Sequence, residues 1–347
     1  MLFRKEVREV RFLSPLQGFN EVVQRVEFRE DPLTGRWSRI NLERAKRVRQ
    51  AMGESPLDLL RESAKGCFFC PENLEDSTPK LPPEFGEERM RRGEATLFPN
   101  LFPFAEFHAV VVLSREHLLT VRDFHSRMLE DALRLSFEYF ERVKGVEPRA
   151  VYAMLNWNHL PSAAASIVHP HFQLLVDRTP TFWLEKVLEG GKRYRRRTGR
   201  NFWSDLLREE RRRGERWIGE GERIGWLAAF APQGQNEVWA VFKEASCFGE
   251  VGEEGVGELA EGLSSVLRGY AELGVETFNL TSFSGPEDGR GKKYHRLNLR
   301  LISRPPLRPL YTSDSGFMER FQYEPVVETM PEELAAKLRK IFEGGRS

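Results

Sequence analysis

The feature that most narrows the fold is an order of apolar segments that the chain uses twice. Phe107 to Leu113 reads as a buried strand, Arg127 to Val143 spaces its apolar residues like one face of a helix, and Val151 to Trp157 and Phe172 to Val176 read as strands again. A similar order returns as strands at Trp226 to Phe230 and Val238 to Phe242, a helix at Val256 to Leu273, and strands at Thr277 to Ser282 and Leu297 to Ile302. The repeat is far too long for a solenoid. It predicts an α+β fold of two related halves, residues 1–180 and 181–347, each a mainly antiparallel sheet with packed helices. Between them, Phe182 to Trp217 carries Lys192, Arg193, Arg195, Arg196 and Arg197, then Arg211, Arg212 and Arg213 interleaved with Glu209, Glu210 and Glu215. Mixed signs of this kind mark a solvated helical arm more often than a nucleic-acid footprint.

Whatever the chain binds, it does not attract it by overall charge, because 53 basic residues face 52 acidic ones for a net charge of +1. No global field recruits nucleic acid or an anionic membrane, so any phosphate recognition is local. Hydrophobic residues at 40% and charged residues at 30% exclude a disordered chain. No stretch approaches the roughly 18 consecutive apolar residues of a membrane span, and the charged start, MLFRKEVREVRFL, has no signal-peptide apolar region. The expected location is the cytoplasm.

The chemistry concentrates in Asn158 to Gln173, NHLPSAAASIVHPHFQ. On a strand, the period of two puts His169, His171 and Gln173 on one face and turns Phe172 and Leu174 into apolar packing on the other. Pro170 cannot donate to a ladder, which places it at the strand entry or on an edge. Cys67 and Cys70 form a C-x-x-C too closely spaced for a disulfide framework, at the start of a proline-rich stretch, Gly66 to Pro103, that reads as wrapping a site or a neighbouring subunit instead of forming a core element. A redox pair would want a helix immediately after it, where Pro71-Glu72-Asn73 stands. Two thiolates, His117 and one of the His169/His171 pair would instead complete a structural Cys2His2 zinc site. The remaining imidazole could attack phosphorus and later surrender the phosphoryl group, while Gln173 donates to a nonbridging oxygen. The small Ala163-Ala164-Ala165-Ser166 run lets backbone and the Ser166 hydroxyl approach phosphates, and Arg44 and Arg47 offer forked donors. His108 and His125 look like strand-edge and surface residues, and His159 reads either way.

At these residues the sequence resembles the galactose-1-phosphate uridylyltransferase family of the histidine triad superfamily. EDPLTGRWSRINLERAKR resembles the family's N-terminal motif, Cys67-Phe68-Phe69-Cys70-Pro71 its zinc knuckle, Phe98-Pro99-Asn100-Leu101-Phe102 its ribose-contacting loop, and Asn158 to Gln173 its active-site stretch. The resemblance implies Cys67, Cys70, His117 and His169 as ligands of one structural zinc per chain and His171 as the nucleotidylated nucleophile. It further implies that Gln173 holds the transferred group, that Asn158 and Ser166 contact the nucleotide phosphates, and that Asn100 contacts the ribose. Arg44 and Arg47 would reach phosphates across a homodimer interface. The departures are Leu160-Pro161-Ser162-Ala163-Ala164 in place of the usual glycines, and Leu101 in place of an acidic residue. Asn298 and Arg300 stand where some members have paired histidines for a second metal, with only His295 nearby, so no second metal is expected. Gly316 to Glu324 matches the family's sugar-phosphate segment loosely, and MPEELAAKLRKIF resembles its closing helix.

The implied function is transfer of a nucleoside monophosphate, UMP first, from a nucleoside-diphosphate hexose to a hexose 1-phosphate, with no membrane or nucleic-acid partner. The enzymatic rival is a phosphorylase or hydrolase using the same histidine with phosphate or water. The rival of another class is a zinc-stabilised nucleotide or nucleic-acid binding protein, which has no need of His-x-His-x-Gln on one strand face.

Overall fold

In the computed structural model, which describes residues 1–46, 53–309 and 311–344, the two repeated units join edge to edge in one ten-stranded antiparallel sheet. The strands in chain order are β1 (Lys5–Ser14), β2 (Asn20–Glu30), β3 (Trp37–Ile40), β4 (Met90–Arg92), β5 (Ala95–Pro99), β6 (Phe107–Val112), β7 (Tyr152–His159), β8 (His171–Asp177), β9 (Trp217–Glu220), β10 (Ile224–Ala228), β11 (Gln235–Phe242), β12 (Phe278–Phe283), β13 (Asn298–Ser303) and β14 (Val326–Val327). The helices are α1 (Leu57–Glu62), α2 (Pro71–Ser77), α3 (Ser126–Val146), α4 (Phe182–Thr198), α5 (Phe202–Arg213), α6 (Glu253–Glu272), α7 (Phe317–Arg320) and α8 (Pro331–Gly344). The large sheet runs β4-β5-β6-β8-β7-β12-β13-β11-β10-β9, and a small one runs β1-β2-β3-β14.

The duplication is visible in the strand order. β5, β6, α3, β7 and β8 lie in space as β5-β6-β8-β7, and β10, β11, α6, β12 and β13 lie as β10-β11-β13-β12. The units meet where β7 pairs with β12, from Phe278 opposite His159 to Thr281 opposite Asn156. Separate sheets would each leave an unpaired row of backbone donors and acceptors at that edge, and the pairing removes both rows. α3 and α6 pack together on one face, where Leu129, Leu133 and Phe140 join Leu259, Leu263 and Val266 in the main core. The His125 side chain caps α3 by accepting from the Met128 N–H.

Three expectations need correction. The stretch Gly66 to Pro103 supplies a core element, because β5 pairs with β6 and buries Leu97 and Phe98. A helix does begin directly after Cys70, since Pro71 occupies the first helical position of α2, where a missing N–H costs nothing. The arm between the halves is solvated on one side only. α4 and α5, capped by Thr181 and Asn201 and stopped by left-handed Gly199 and Gly214, press Leu184, Val187, Leu188, Phe202 and Trp203 onto Leu227, Trp239 and Val241 of the sheet. The arginines of α5 and the turn before it are matched by acids, Arg212 and Arg213 by Glu209, Arg211 by Glu220, and Arg200 and Arg208 by Asp205, whereas Arg193 and Arg195 of α4 donate to the Leu33 and Lys293 carbonyls. The β1–β2 hairpin was not read from the sequence, because Val7, Val10, Leu13 and Phe19 remain exposed and leave no buried face to impose a pattern.

α6 is seated on β10 through Gly262, where an added Cβ would run into the Trp226 indole. Replacing a helical glycine by alanine ordinarily gains up to about 1 kcal/mol, but overpacking here costs about 1–3 kcal/mol. Gly262→Ala is therefore expected to lower the denaturation midpoint in urea.

Candidate active site and metal centre

The face of the sheet away from α3 and α6 is covered in two patches. α4 and α5 cover the second half, and Cys67, Phe69, Cys70 and Leu74 pack on Phe98, Val110 and Val112 of the first. Between the patches β8, β7 and β12 carry polar side chains, and the registers arrange them in rows. Gln173 lies opposite Asn156, which lies opposite Thr281, which lies opposite Arg300. One pair beyond Trp157 and Phe172 the ladder brings Asn158 beside His171, and Asn158 lies opposite Asn279. Residues facing each other across an antiparallel pair stand about 4.5–5.5 Å apart at Cβ.

Cys67, Cys70, His117 and His169 converge with their ligand atoms all within 4.8 Å of one another. Cys70 Sγ is 3.4 Å from His117 Nδ1 and 3.6 Å from His169 Nδ1. A tetrahedral zinc with ordinary Zn–S and Zn–N bonds has S···N edges of about 3.5 Å, so the set fits. The outer nitrogens agree: His169 Nε2 lies 2.8 Å from the Ser114 carbonyl and His117 Nε2 3.2 Å from the Leu60 carbonyl, which puts the protons on Nε2 and leaves both Nδ1 atoms as donors to a metal. Burial holds His169 down to about 4, hence neutral near pH 7. Burial beside Cys67 pushes the Cys70 thiol up to about 12, and a bound cation would reverse that. Because a helix does follow Cys70, it is this pair of imidazoles that separates the site from a redox C-x-x-C.

His171 opens β8 and is 5% exposed, with the Phe69 ring edge-on at 5.3 Å. Pro170 marks the entry of a central strand, its carbonyl accepting from the Leu113 N–H. His171 Nδ1 donates to the His169 carbonyl at 2.8 Å, and burial lowers the basicity of the ring. The neutral ring then keeps its lone pair on Nε2, the state a nucleophile needs. Phe172 and Leu174 are buried on the opposite face, as the alternation requires.

His108 belongs to this site, against the expectation of a strand-edge residue. It is buried, its Nδ1 accepts from the Phe104 N–H, and its Nε2–H points at Gln173 Oε1 at 3.3 Å. The Gln173 carbonyl is thereby engaged and its NH2 is left to donate. Asn100 Nδ2 lies 3.1 Å from the same His108 nitrogen, and Asn100 Oδ1 accepts from the Phe102 N–H. Alternation alone puts His108 and Val110 on one strand face, but that this face meets Gln173 follows only from the β6–β8 register.

Asn158 is half-buried beside His171, and Ser166 is exposed on the connecting loop. In that loop Leu160 and Ala164 take φ of 69° and 68°, the left-handed region that glycine enters freely. Ser162 holds the loop by donating to the Pro305 carbonyl at 2.7 Å. Arg44 is exposed on the single-turn helix Leu42–Lys46, with no bond to the His171 cluster among the described residues, and Arg47 lies outside the described residues. Asn298 and Arg300 pair to β11 as His171 and Gln173 pair to β6. The Arg300 guanidinium lies between the Trp239 and Phe283 rings, 4.1 Å from each. His295 Nε2 lies 3.0 Å from the Phe283 carbonyl.

No protein-family model matches the chain. An uncharacterized protein of Archaeoglobus fulgidus is 32% identical over 342 residues, 99% of each chain. The chain belongs to that protein's family. Three solved structures are similar. An ADP-glucose phosphorylase from Arabidopsis thaliana with bound ADP-glucose has a TM-score of 0.72 at 20% identity, covering 91% of this chain and 99% of that one. A GalT-like protein of the same plant has a TM-score of 0.68 at 20% identity, covering 90% and 98%. A uridylyltransferase has a TM-score of 0.68 at 18% identity, covering 92% and 99%. The chain thus has the uridylyltransferase fold.

Within that fold the donor set makes two measurable statements. Cobalt(II) added to chelator-treated protein is expected to give the visible bands of tetrahedral thiolate coordination at one ion per chain, and Cys70→Ser to lose them. His159 stands apart from the site in a box of Phe124, Trp157 and Phe278, without a hydrogen-bond partner at either nitrogen among the described residues, and burial lowers it to about 3. The unfolded chain then binds the extra proton first, so stability is kept above about pH 6.5 and lost as pH falls toward 3. His159→Phe is expected to flatten that loss in acid denaturation curves, by at most about 1.4 kcal/mol per pH unit.

Proposed function

We propose that the chain is a nucleotidyltransferase that carries a nucleoside monophosphate on His171, taking it from a nucleoside-diphosphate hexose, with UMP and a hexose 1-phosphate as the first choice of nucleotide and acceptor. The observation that supports this best is the pairing of His171, its Nδ1–H given to a backbone carbonyl, with a Gln173 amide turned outward by His108. The His171 Nε2 lone pair attacks the α-phosphorus, the bond to the bridging oxygen breaks, and sugar 1-phosphate leaves with that electron pair. An acceptor phosphate oxygen then attacks the same phosphorus from the opposite side and the P–N bond returns its pair to the ring. Gln173 and Asn158 donate to the nonbridging oxygens, where charge is redistributed in both steps. Ser166 adds a hydroxyl, Asn100 meets the ribose, and Arg44 and Arg47 reach the phosphates from the second chain of a homodimer.

Zinc held by Cys67, Cys70, His117 and His169 would pin the loop and the backbone two residues before His171, with no part in the chemistry. Residues 1–180 carry nucleophile and metal, and residues 181–347 complete the groove. A phosphorylase with inorganic phosphate as acceptor is the second reading. The shared fold of the ADP-glucose phosphorylase supports it, while Leu101, 56% exposed where the resemblance expects an acidic residue, bears on the ribose and base and argues against strict uridine use.

Intact-protein mass spectrometry under non-acidic conditions tests both, after incubation with UDP-glucose, ADP-glucose or GDP-mannose. The wild type is expected to gain one nucleoside monophosphate and His171→Ala none, and the donor that labels names the base. Chasing the adduct with hexose 1-phosphate or with phosphate separates the acceptors. Zinc-replete protein that gains no mass with any donor would rule out His171 as nucleophile toward them.

A further inference from the structure

We propose that Arg304 and Asn279, both from the second half, are positioning residues that aim the Asn158 side-chain amide at the phosphates of the bound nucleotide. The proposal rests on the nucleotide reading above and adds to it the groups that set which end of Asn158 faces the groove.

The argument starts from a group whose hydrogen bonds have a fixed sense. A guanidinium only donates. Arg304 Nη1 lies 2.6 Å from Asn279 Oδ1, so that end of Asn279 is the oxygen and the other is NH2. Asn279 Nδ2 then donates to Asn158 Oδ1 at 2.6 Å and to the Ala163 carbonyl at 2.8 Å. With its oxygen engaged, Asn158 is left with an NH2 that has no protein partner among the described residues, half-buried on the sheet face beside His171. The sense of every bond in the series follows from the first. The neighbouring row lacks this property, because the Thr281 hydroxyl that donates to Asn156 Oδ1 at 2.7 Å can equally accept.

Orientation matters because a turned Asn158 would present a carbonyl oxygen to a phosphate oxygen, replacing a donor by a like dipole. The second half fixes the amide from the neighbouring strand, through the side chain that lies opposite Asn158. Arg304 is itself held by Asp314, with Nη2 2.7 Å and Nε 3.0 Å from Oδ1. The series therefore ends in the segment that leads to Gly316–Glu324, the stretch whose sequence loosely resembles a sugar-phosphate segment. A change of backbone at Asp314 is transmitted to Asn158 through three side chains.

Calorimetric binding of ADP and of UDP tests this on zinc-replete protein, using wild type, Asn279→Leu, Arg304→Met, Arg304→Lys, and the first two again in an Asn158→Ala background. Asn279→Leu changes no charge, and Arg304→Lys keeps a donor-only group. Asn279→Leu and Arg304→Met are expected to weaken binding of whichever diphosphate the wild type takes by about tenfold, and by under about twofold once Asn158 is alanine. Arg304→Lys is expected to recover most of the loss. Equal losses in both backgrounds, or none in the first, overturn the series while leaving the nucleotide reading intact. Wild type that binds neither diphosphate overturns both. Asn279→Leu keeps the test decisive if Arg304→Met does not fold.

Discussion

The structure depends on the pairing of β7 with β12. Four backbone registers there, from Phe278 opposite His159 to Thr281 opposite Asn156, turn two units that would each expose a sheet edge into one sheet with a continuous core under α3 and α6. The same registers extend the polar row of His171 and Gln173 into the second half as Asn158 and Asn279, and Asn156 and Thr281. Core and site are thus joined by one set of main-chain bonds, and the polar rows lie at the seam between the two covering patches.

Amide groups dominate that groove, and their chemistry explains why so many second partners are present. An amide presents a donor at one end and an acceptor at the other, so it is useful toward an anion only when its oxygen is occupied. His108 occupies the oxygen of Gln173, and Asn279 occupies that of Asn158. The imidazoles obey the same logic. His169 and His117 direct Nε2 to backbone carbonyls and leave the Nδ1 lone pairs facing the Cys70 sulfur, while His171 directs Nδ1 to a carbonyl and leaves the Nε2 lone pair free.

Much of this was legible in the sequence. The repeated strand and helix order identified α3, α6 and the strands β6, β7, β8, β10, β11, β12 and β13, and alternation through His169, His171 and Gln173 gave the shared face. The Cys2His2 grouping followed from residue chemistry, though which histidine would serve did not. What could not be read has physical causes. α4 and α5 looked solvated because their arginines gather in runs at the helix ends, Arg195 to Arg197 and Arg211 to Arg213, and mask the apolar residues that form a full inner face. The β1–β2 hairpin leaves most of its apolar residues exposed and buries Arg29 instead, so no apolar alternation marks it. His108 was passed over because a lone histidine on a strand carries no mark of its partner, and Asn279, Thr281 and Arg304 are ordinary polar residues until the seam brings them opposite the site.

The loop between Asn158 and Ser166 shows where such a design leads. Leu160 and Ala164 hold a left-handed backbone that costs a residue with a Cβ roughly 1–2 kcal/mol, and Ser162 and Ala163 are bonded to Pro305 and Asn279 across the seam. A glycine-rich loop would carry its shape in its own composition. Here the shape is held by the other half, so a change near Pro305 or Asn279 would reach the loop beside Asn158 without altering a single residue of it.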